Sequence, residues 1–293
     1  MDKDIRTYIG ISPFHQSPSL GPLRTMLYTF AFARKYNGSV YLKCDDTNLE
    51  SRNNENFFSQ ISFLEQAGCV FRKDEMSYFN GTVIFQSLND HIYKLHLDKL
   101  VDRGLTSKKN GLLSLDVQGL ANFLAIESIT IEDILKGKIS FNVKRSGYSF
   151  IPLYSLSEKR FLFHLPAVID EMILKANLLV RGEDKISIAP IHNLLRIFIG
   201  MDDAKYLHLP LLTESKDGKR LRGKAYYVDQ LITQYSLEVL VAYALKSGYV
   251  SGNSFYRNIN DFIGQFDYRK IKKKSGRFTP ADLQAISIKF EIK

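Results

Sequence analysis

Residues Thr7 to Ser12 read TYIGIS, a short β-branched and aromatic run that ends in turn residues, and this predicts a strand. The next stretch, SPFHQSPSLGP, is a loop rich in Ser, Pro and Gly. From Leu23 to Tyr36 the apolar positions fall at helical spacing, with Leu23, Leu27, Phe30 and Ala31 on one face. Asn37-Gly38 stops that helix. SVYLKC, Ser39 to Cys44, predicts a second strand, and acidic DDTN follows at its carboxyl end. Strand, glycine-bearing loop, helix and strand open a βαβ unit, so the expected fold class is α/β with a parallel sheet. A ligand of such a sheet sits outside the carboxyl ends of the strands, where the loop and DDTN both lie.

Asn54 to Gly68 predicts another helix, and HIYKLHLDKLVDRG, His91 to Gly104, an amphipathic one. LTSKKNGLLSLDVQG is rich in turn residues, whereas IEDILKGKISFNVKRSGYSFIPLYSL alternates as strands do. NLLVRGED is apolar and then charged, which predicts a buried parallel strand delivering Arg181 to a site. A helix is expected from Pro190 to Ile199, then a buried strand in YLHLPLL, then the basic, glycine-containing loop TESKDGKRLRGK. From Tyr226 onward the pattern is mostly helical, with the basic run YRKIKKKSGR near the end. No internal repeat or low-complexity tract interrupts the chain.

The length, 293 residues, fits one large or two modest domains. Apolar residues at 45% and charged residues at 24% exclude a disordered chain. No segment reaches the roughly 18 apolar residues of a membrane span, and the charged start, Met1 to Arg6, is unlike a signal peptide. A cytoplasmic protein is expected. Cys44 and Cys69 form no CxxC pair and no Cys/His cluster, so they are expected as buried small hydrophobes, without a disulfide or a metal. The net charge of +9 points to a polyanionic partner such as nucleic acid, with an ordinary basic enzyme as the alternative.

Five collinear stretches resemble the glutamyl branch of the class I aminoacyl-tRNA synthetases. They are RTMLYTFAFARKYNGSVYLKCDDTN, IEDILKGKISF, FHLPAVIDEMILKANLLVRGEDKISIAPIHNLLRIFIG, YLHLPLLTESKDGKRLRGK and DFIGQFDYRKIKKKSGRFTPADL. The resemblance runs from about Tyr8 to Phe290. It implies a Rossmann-like parallel catalytic sheet split by an inserted acceptor-binding subdomain and followed by a helical stem-contact domain. The expected boundaries are residues 1–85 and 161–224 for the two catalytic halves, 86–160 for the insertion and 225–293 for the helical domain. The chain ends after the stem-contact helices, so no anticodon-binding domain is expected. This architecture is similar to the truncated paralogues that glutamylate queuosine on tRNA. Those paralogues carry a cysteine-based zinc site in the insertion, and the corresponding LTSKKNG has no cysteine, so no zinc is expected.

The implied reaction has two steps: ATP and Mg2+ activate an amino acid as an adenylate, and the acyl group then passes to tRNA or to a small amine. The first signature of the family falls on Ser19, Leu20, Gly21 and Pro22, with its glycine kept and its first histidine replaced by Ser19. His15 either supplies an imidazole to the nucleotide or is an exposed loop residue. The second signature falls on Arg220, Leu221, Arg222, Gly223 and Lys224. Gly223 stands at the lysine that stabilises the phosphate, so Lys219, Arg220 or Lys224 is left to reach ATP, unless the loop meets only tRNA. The resemblance adds Ser12, Arg24, Leu211 and Leu212 to the nucleotide site, with Ser19, Gly21, Arg220 and Lys224 as catalytic candidates. For the amino acid it implies Ile9, Ser12, Asp45, Phe163, Arg181 and Lys185. Asp45 stands for the glutamate that receives the α-ammonium group, and Arg181 for the arginine that meets a substrate carboxylate. A second specificity arginine falls on Ile9, or on Tyr8 with a one-residue gap, and is therefore missing unless Arg6 substitutes. Loss of half a guanidinium clamp weakens discrimination for glutamate. Arg269, Lys270, Lys272, Lys273 and Lys274 are expected to contact tRNA phosphate. A monomer is expected. A fold that keeps nucleotide or tRNA binding without catalysis, or acts as a regulatory partner, is the alternative reading.

Overall fold

A computed structural model describes residues 4–77, 83–145, 147–214, 221, 223–252 and 255–291. The chain begins with β1 (Arg6–Ile11), α1 (Leu20–Lys35) and β2 (Ser39–Cys44), followed by α2 (Asn54–Gln66), the short α3 (Lys73–Met76) and β3 (Ile84–Phe85). β1, β2 and β3 form a parallel sheet, with Thr7 opposite Val40 and Ile9 opposite Leu42. The expected βαβ opening is therefore present. α1 is buried nearly all round, from Leu20 to Ala33, because it is packed between this sheet and helices from the other end of the chain. Its end follows from Asn37-Gly38: Asn37 takes φ 55°, and a Cβ on Gly38 would lie 2.6 Å from the Ile5 carbonyl oxygen.

Next come α4 (Asp90–Asp102), β4 (Thr106–Lys109), β5 (Leu112–Asp116), α5 (Val117–Phe123), β6 (Ser128–Asp133), β7 (Gly137–Asn142), β8 (Phe150–Ser155) and β9 (Arg160–Phe161). The turn-rich LTSKKNG segment lies in a hairpin. Asn110 and Gly111 both have positive φ, 51° and 73°, and join β4 to β5 in a two-residue turn. β4, β5, β8 and β9 make one antiparallel sheet. β6 and β7 do not join it.

The chain continues through α6 (His164–Ile173), β10 (Leu178–Gly182), α7 (Ala189–Ile199), β11 (Lys205–Leu209) and β12 (Leu212–Thr213). β10 pairs with β11 in parallel, as the apolar NLLVRG and YLHL runs predict, and β11 pairs with β6, so the β6–β7 hairpin extends this sheet. β10 starts beside β1, where the Asn177 amide donates to the Arg6 carbonyl at 3.0 Å. The last part holds α8 (Val228–Leu231), α9 (Leu237–Ser247), α10 (Ile259–Gln265), β13 (Gly276–Arg277) and α11 (Pro280–Glu291). β13 pairs with β12. α9 and α10 pack on α1 through Tyr28, Phe32, Phe262 and Phe266, and Tyr28 Oη donates to the Leu245 carbonyl at 2.7 Å. Cys44 and Cys69 are buried free thiols whose pKa values burial raises. No helix among the described residues is long and apolar enough to cross a membrane.

Candidate amino-acid and nucleotide pocket

A cavity of about 280 Å³ opens between the carboxyl ends of β1, β2 and β10 and the start of α1. Its walls carry opposite excess charge, and each wall is built by charged side chains placed in otherwise apolar elements.

The anionic wall starts in β2. Every residue of SVYLKC is buried, Lys43 included, so its ammonium must find partners. Lys43 Nζ lies 2.5 Å from Asp45 Oδ1 and 3.0 Å from Asp170 Oδ2. Burial works against the ammonium, but Asp45 and Asp170 outweigh it and raise its pKa. Burial pushes the Asp170 carboxyl up, and Lys43, Gln86 and Tyr93 oppose that by donating to it, the last two at 2.6 and 2.7 Å. One cation between two carboxylates leaves an excess negative charge at Asp45, the member of the three that faces the cavity with Lys43. Gly10 makes room for it, since a Cβ there would lie 2.7 Å from Asp45 Oδ2.

The cationic wall is built on β10 and α6. Arg181 pairs with the buried Glu171 and donates to Tyr8 Oη at 3.3 Å. Glu171 also accepts from Tyr8 Oη at 3.1 Å and from the buried Arg196 at 2.9 Å. Two guanidinium groups around one carboxylate leave an excess positive charge. Burial, and then Glu171, push the Tyr8 phenol up to about 12, so it stays a neutral donor. Arg181 is also tied to two histidines. Its NH1 donates to His192 Nδ1 at 3.3 Å, which leaves His192 Nε2–H to donate to His164 Nδ1 at 3.1 Å. Burial and the neighbouring cations hold His192 well below the ordinary imidazole value and lower His164 to about 4. Lys185 completes this wall, its ammonium 5.3 Å from the Phe163 ring centroid.

At the other end lies the start of α1. Ser19 caps the helix without a side-chain bond to it, Gly21 faces open space, and both line the cavity. Below them Arg24 is 3% exposed; it donates to the Pro210 carbonyl, while its Nε has no partner among the described residues. The start of a 16-residue helix, with Gly21 open to the cavity and a buried guanidinium beneath it, suits an anionic group.

The cavity thus gathers Ile9, Ser19, Gly21, Arg24, Asp45, Phe163, Arg181, Lys185, Leu211 and Leu212 of the expected site. Ile9 lies on the core face of β1, and Tyr8 presents its side chain instead. Arg6 does not line the cavity: its guanidinium donates to the Leu174 carbonyl and lies over the Tyr41 ring at 4.7 Å. The Leu211 amide donates to Glu183 and its carbonyl accepts from Gly276, so its backbone is engaged within the protein. Ser12 and His15 stand outside the lining. Both carbonyls accept from Gln60, and the His15 ring packs 4.2 Å from that of Tyr227. The intervening loop is strapped to α8, Ser17 Oγ lying 2.5 Å from Asp229 Oδ1. Lys224 is exposed in a 3-10 turn away from the cavity, and Lys219 and Arg220 lie outside the described residues. Arg269, Lys270, Lys272, Lys273 and Lys274 are exposed, with Arg269 paired to Asp267 at 2.8 Å. Sequence reasoning did not find Lys43, Asp170, Glu171, His164 or His192. The signal was there for three of them: a lysine in a buried strand and two acids in the apolar helix HLPAVIDEMI.

Residues 17–110 match the profile of the class I tRNA synthetase catalytic domain of the E and Q group. The chain is 25% identical to a glutamate–tRNA ligase of Chlorobaculum parvum across 88% of its own length and 60% of the relative's. It is also 25% identical to one of Clostridium tetani across 94% of its length and 64% of the relative's. The chain thus spans about three fifths of these curated relatives. Its fold matches a glutamate–tRNA synthetase structure from Elizabethkingia anophelis with a TM-score of 0.80, at 17% identity, covering 98% of this chain and 70% of that one. In sequence the chain is thus similar to glutamate–tRNA ligases, about a third of it matches the class I tRNA synthetase catalytic domain, and its fold is that of a glutamate–tRNA synthetase structure.

Proposed function

We propose that the chain is an ATP-dependent ligase of the synthetase type, which activates an amino acid as its adenylate and passes the acyl group to tRNA or another acceptor. The observation that carries this reading is the polarity of the cavity. The excess negative charge at Asp45 suits an α-ammonium group, and the excess positive charge at Arg181 and Lys185 suits a carboxylate. The open start of α1 at Gly21 and the buried Arg24 suit the phosphates of ATP, which bring Mg2+ with them. In the first step an oxygen of the amino acid's α-carboxylate attacks the α-phosphorus, the bond to the β-phosphate oxygen breaks, and pyrophosphate leaves. The residues act by holding the two reactants in line and by matching charge.

The amino acid in this reading is not simply glutamate. With Arg6 turned to Leu174, the carboxylate end offers one guanidinium, a phenol and a lysine. The experiment is an ATP–pyrophosphate exchange screen over the amino acids. The expected result is exchange with one of them, weak exchange with glutamate, and a loss of 100-fold or more in Asp45→Asn, on the order of 3 kcal/mol. No exchange with any amino acid, while ATP and tRNA still bind, would favour the second reading, a binding module. Two features support that alternative: His15 is packed on Tyr227, and Gly223, at φ 102°, falls where the resemblance implies the phosphate-stabilising lysine.

A further inference from the structure

A second cavity, of about 330 Å³, lies between α9, β13 and α11, apart from the pocket described above. Lys246, Lys272, Arg277 and Lys289 line it, together with Phe255 and Asp282. The Lys246 and Lys289 ammonium groups lie 3.6 and 4.4 Å from the centroid of the same Phe255 ring. The ring's negative face attracts each of them, so it gathers two like charges at one place. Burial, and then the charges of Lys289 and Lys272, lower the Lys246 pKa, as repulsion requires.

One acid in the lining offsets only part of this charge. Among the described residues no carboxylate pairs with Lys246, Lys272, Arg277 or Lys289. Asp282 is the acid of the lining; it accepts from the Thr279 amide and hydroxyl, both at 2.9 Å, at the start of α11, and its charge also acts on Lys246 without a direct pair. The carboxyl end of α9 contributes about half a negative charge. With the charge of Asp282, this sets about one and a half negative charges against four cations, an excess of roughly two and a half.

We propose that this cavity is a binding site for a phosphate group, supplied either by an RNA backbone or by a free anion such as pyrophosphate. Two ammonium groups held by one ring, in a cavity that a third lysine and a guanidinium also line, supply charged donors that suit a tetrahedral anion. The site also touches the nucleotide pocket through the sheet. Arg277 lies on β13, β13 pairs with β12, and the residue before β12, Leu211, lines that pocket. None of its residues belongs to the first cavity, so the pyrophosphate arm is independent of the ligase reading, whereas the RNA arm shares Lys272 with the run expected to meet tRNA phosphate.

The test is a calorimetric titration with pyrophosphate at fixed ionic strength, comparing the wild-type chain with the Lys246→Met/Lys289→Met variant. Binding at the first cavity is common to both proteins, so the difference isolates this site. A tenfold or greater loss of affinity, restored in Lys246→Arg/Lys289→Arg, is expected. Lys289→Glu should lose binding as well and melt at a higher temperature, because it gives Lys246 a partner. Melting curves show that each variant folds. A second arm measures binding of unfractionated tRNA against salt. An RNA phosphate in the cavity lowers the salt slope of the double Met variant by about two. A free anion leaves that slope unchanged while the pyrophosphate difference persists. Equal pyrophosphate affinity and equal salt slopes in all variants would overturn the proposal.

Discussion

At the scale of single residues, the pocket depends on charges that the fold buries and then only partly balances. Glu171 is the clearest case: one fully buried carboxylate holds both Arg181 and Arg196. Its removal leaves two guanidinium groups in a dry environment without their counter-ion. We expect Glu171→Ala to lower the unfolding free energy by about 3–5 kcal/mol, read from urea titration. Glu171→Gln, which keeps the shape and one acceptor, should lose less. Gly10 tests the opposite wall without touching the core. A Cβ there would lie 2.7 Å from Asp45 Oδ2, so Gly10→Ala displaces the carboxylate we propose as the partner of the ammonium group. The expected outcome is a raised KM for the amino acid in the exchange assay, with a melting temperature near that of the wild type. An unchanged KM would remove Asp45 from the site.

At the scale of elements, α1 joins the two ends of the chain. Its inner face packs on β1 and β2, while Tyr28 and Phe32 receive Phe262 and Phe266 from the C-terminal helices. The helical region is therefore part of the same hydrophobic core as the first sheet. Phe262 is fully buried in this aromatic cluster, and Phe262→Ala should cost about 3–5 kcal/mol. Because the core is shared, the loss should appear as one cooperative transition shifted to lower denaturant. An early transition of the C-terminal helices alone, seen by limited proteolysis, would show that they fold separately. The first loop is bound at the same junction: Ser17 meets Asp229, and the Val228 amide donates to the Pro18 carbonyl at 3.0 Å. Docking of these helices thus fixes the loop that delivers Ser19 and Gly21 to the cavity.

For the whole molecule, the histidine pair behind Arg181 gives stability a defined pH dependence. His164 and His192 are held neutral in the folded chain, His164 down to about 4, whereas an unfolded imidazole titrates near 6.5. Between those values the unfolded state binds more protons, so stability rises with pH and falls as pH drops from about 6.5 towards 4. His164→Gln should flatten that slope in urea titrations made across this window. The amino-acid sequence by itself determined the βαβ opening, the buried strands NLLVRG and YLHL, the end of α1 at Asn37-Gly38 and the burial of both cysteines. These follow from local periodicity, from turn chemistry and from the cost of exposing apolar surface. It also marked Asp45, Arg181 and the start of α1, since strand ends and helix starts are where such a sheet binds ligands. Tertiary structure alone decided the rest. Lys43 and Asp170 are 127 positions apart, and Arg6 and Leu174 are 168 apart. No local pattern encodes which charge meets which across such separations. The pairing was settled when the two sheets and the helices between them packed, because each buried charge then had to take whichever partner the fold brought within reach.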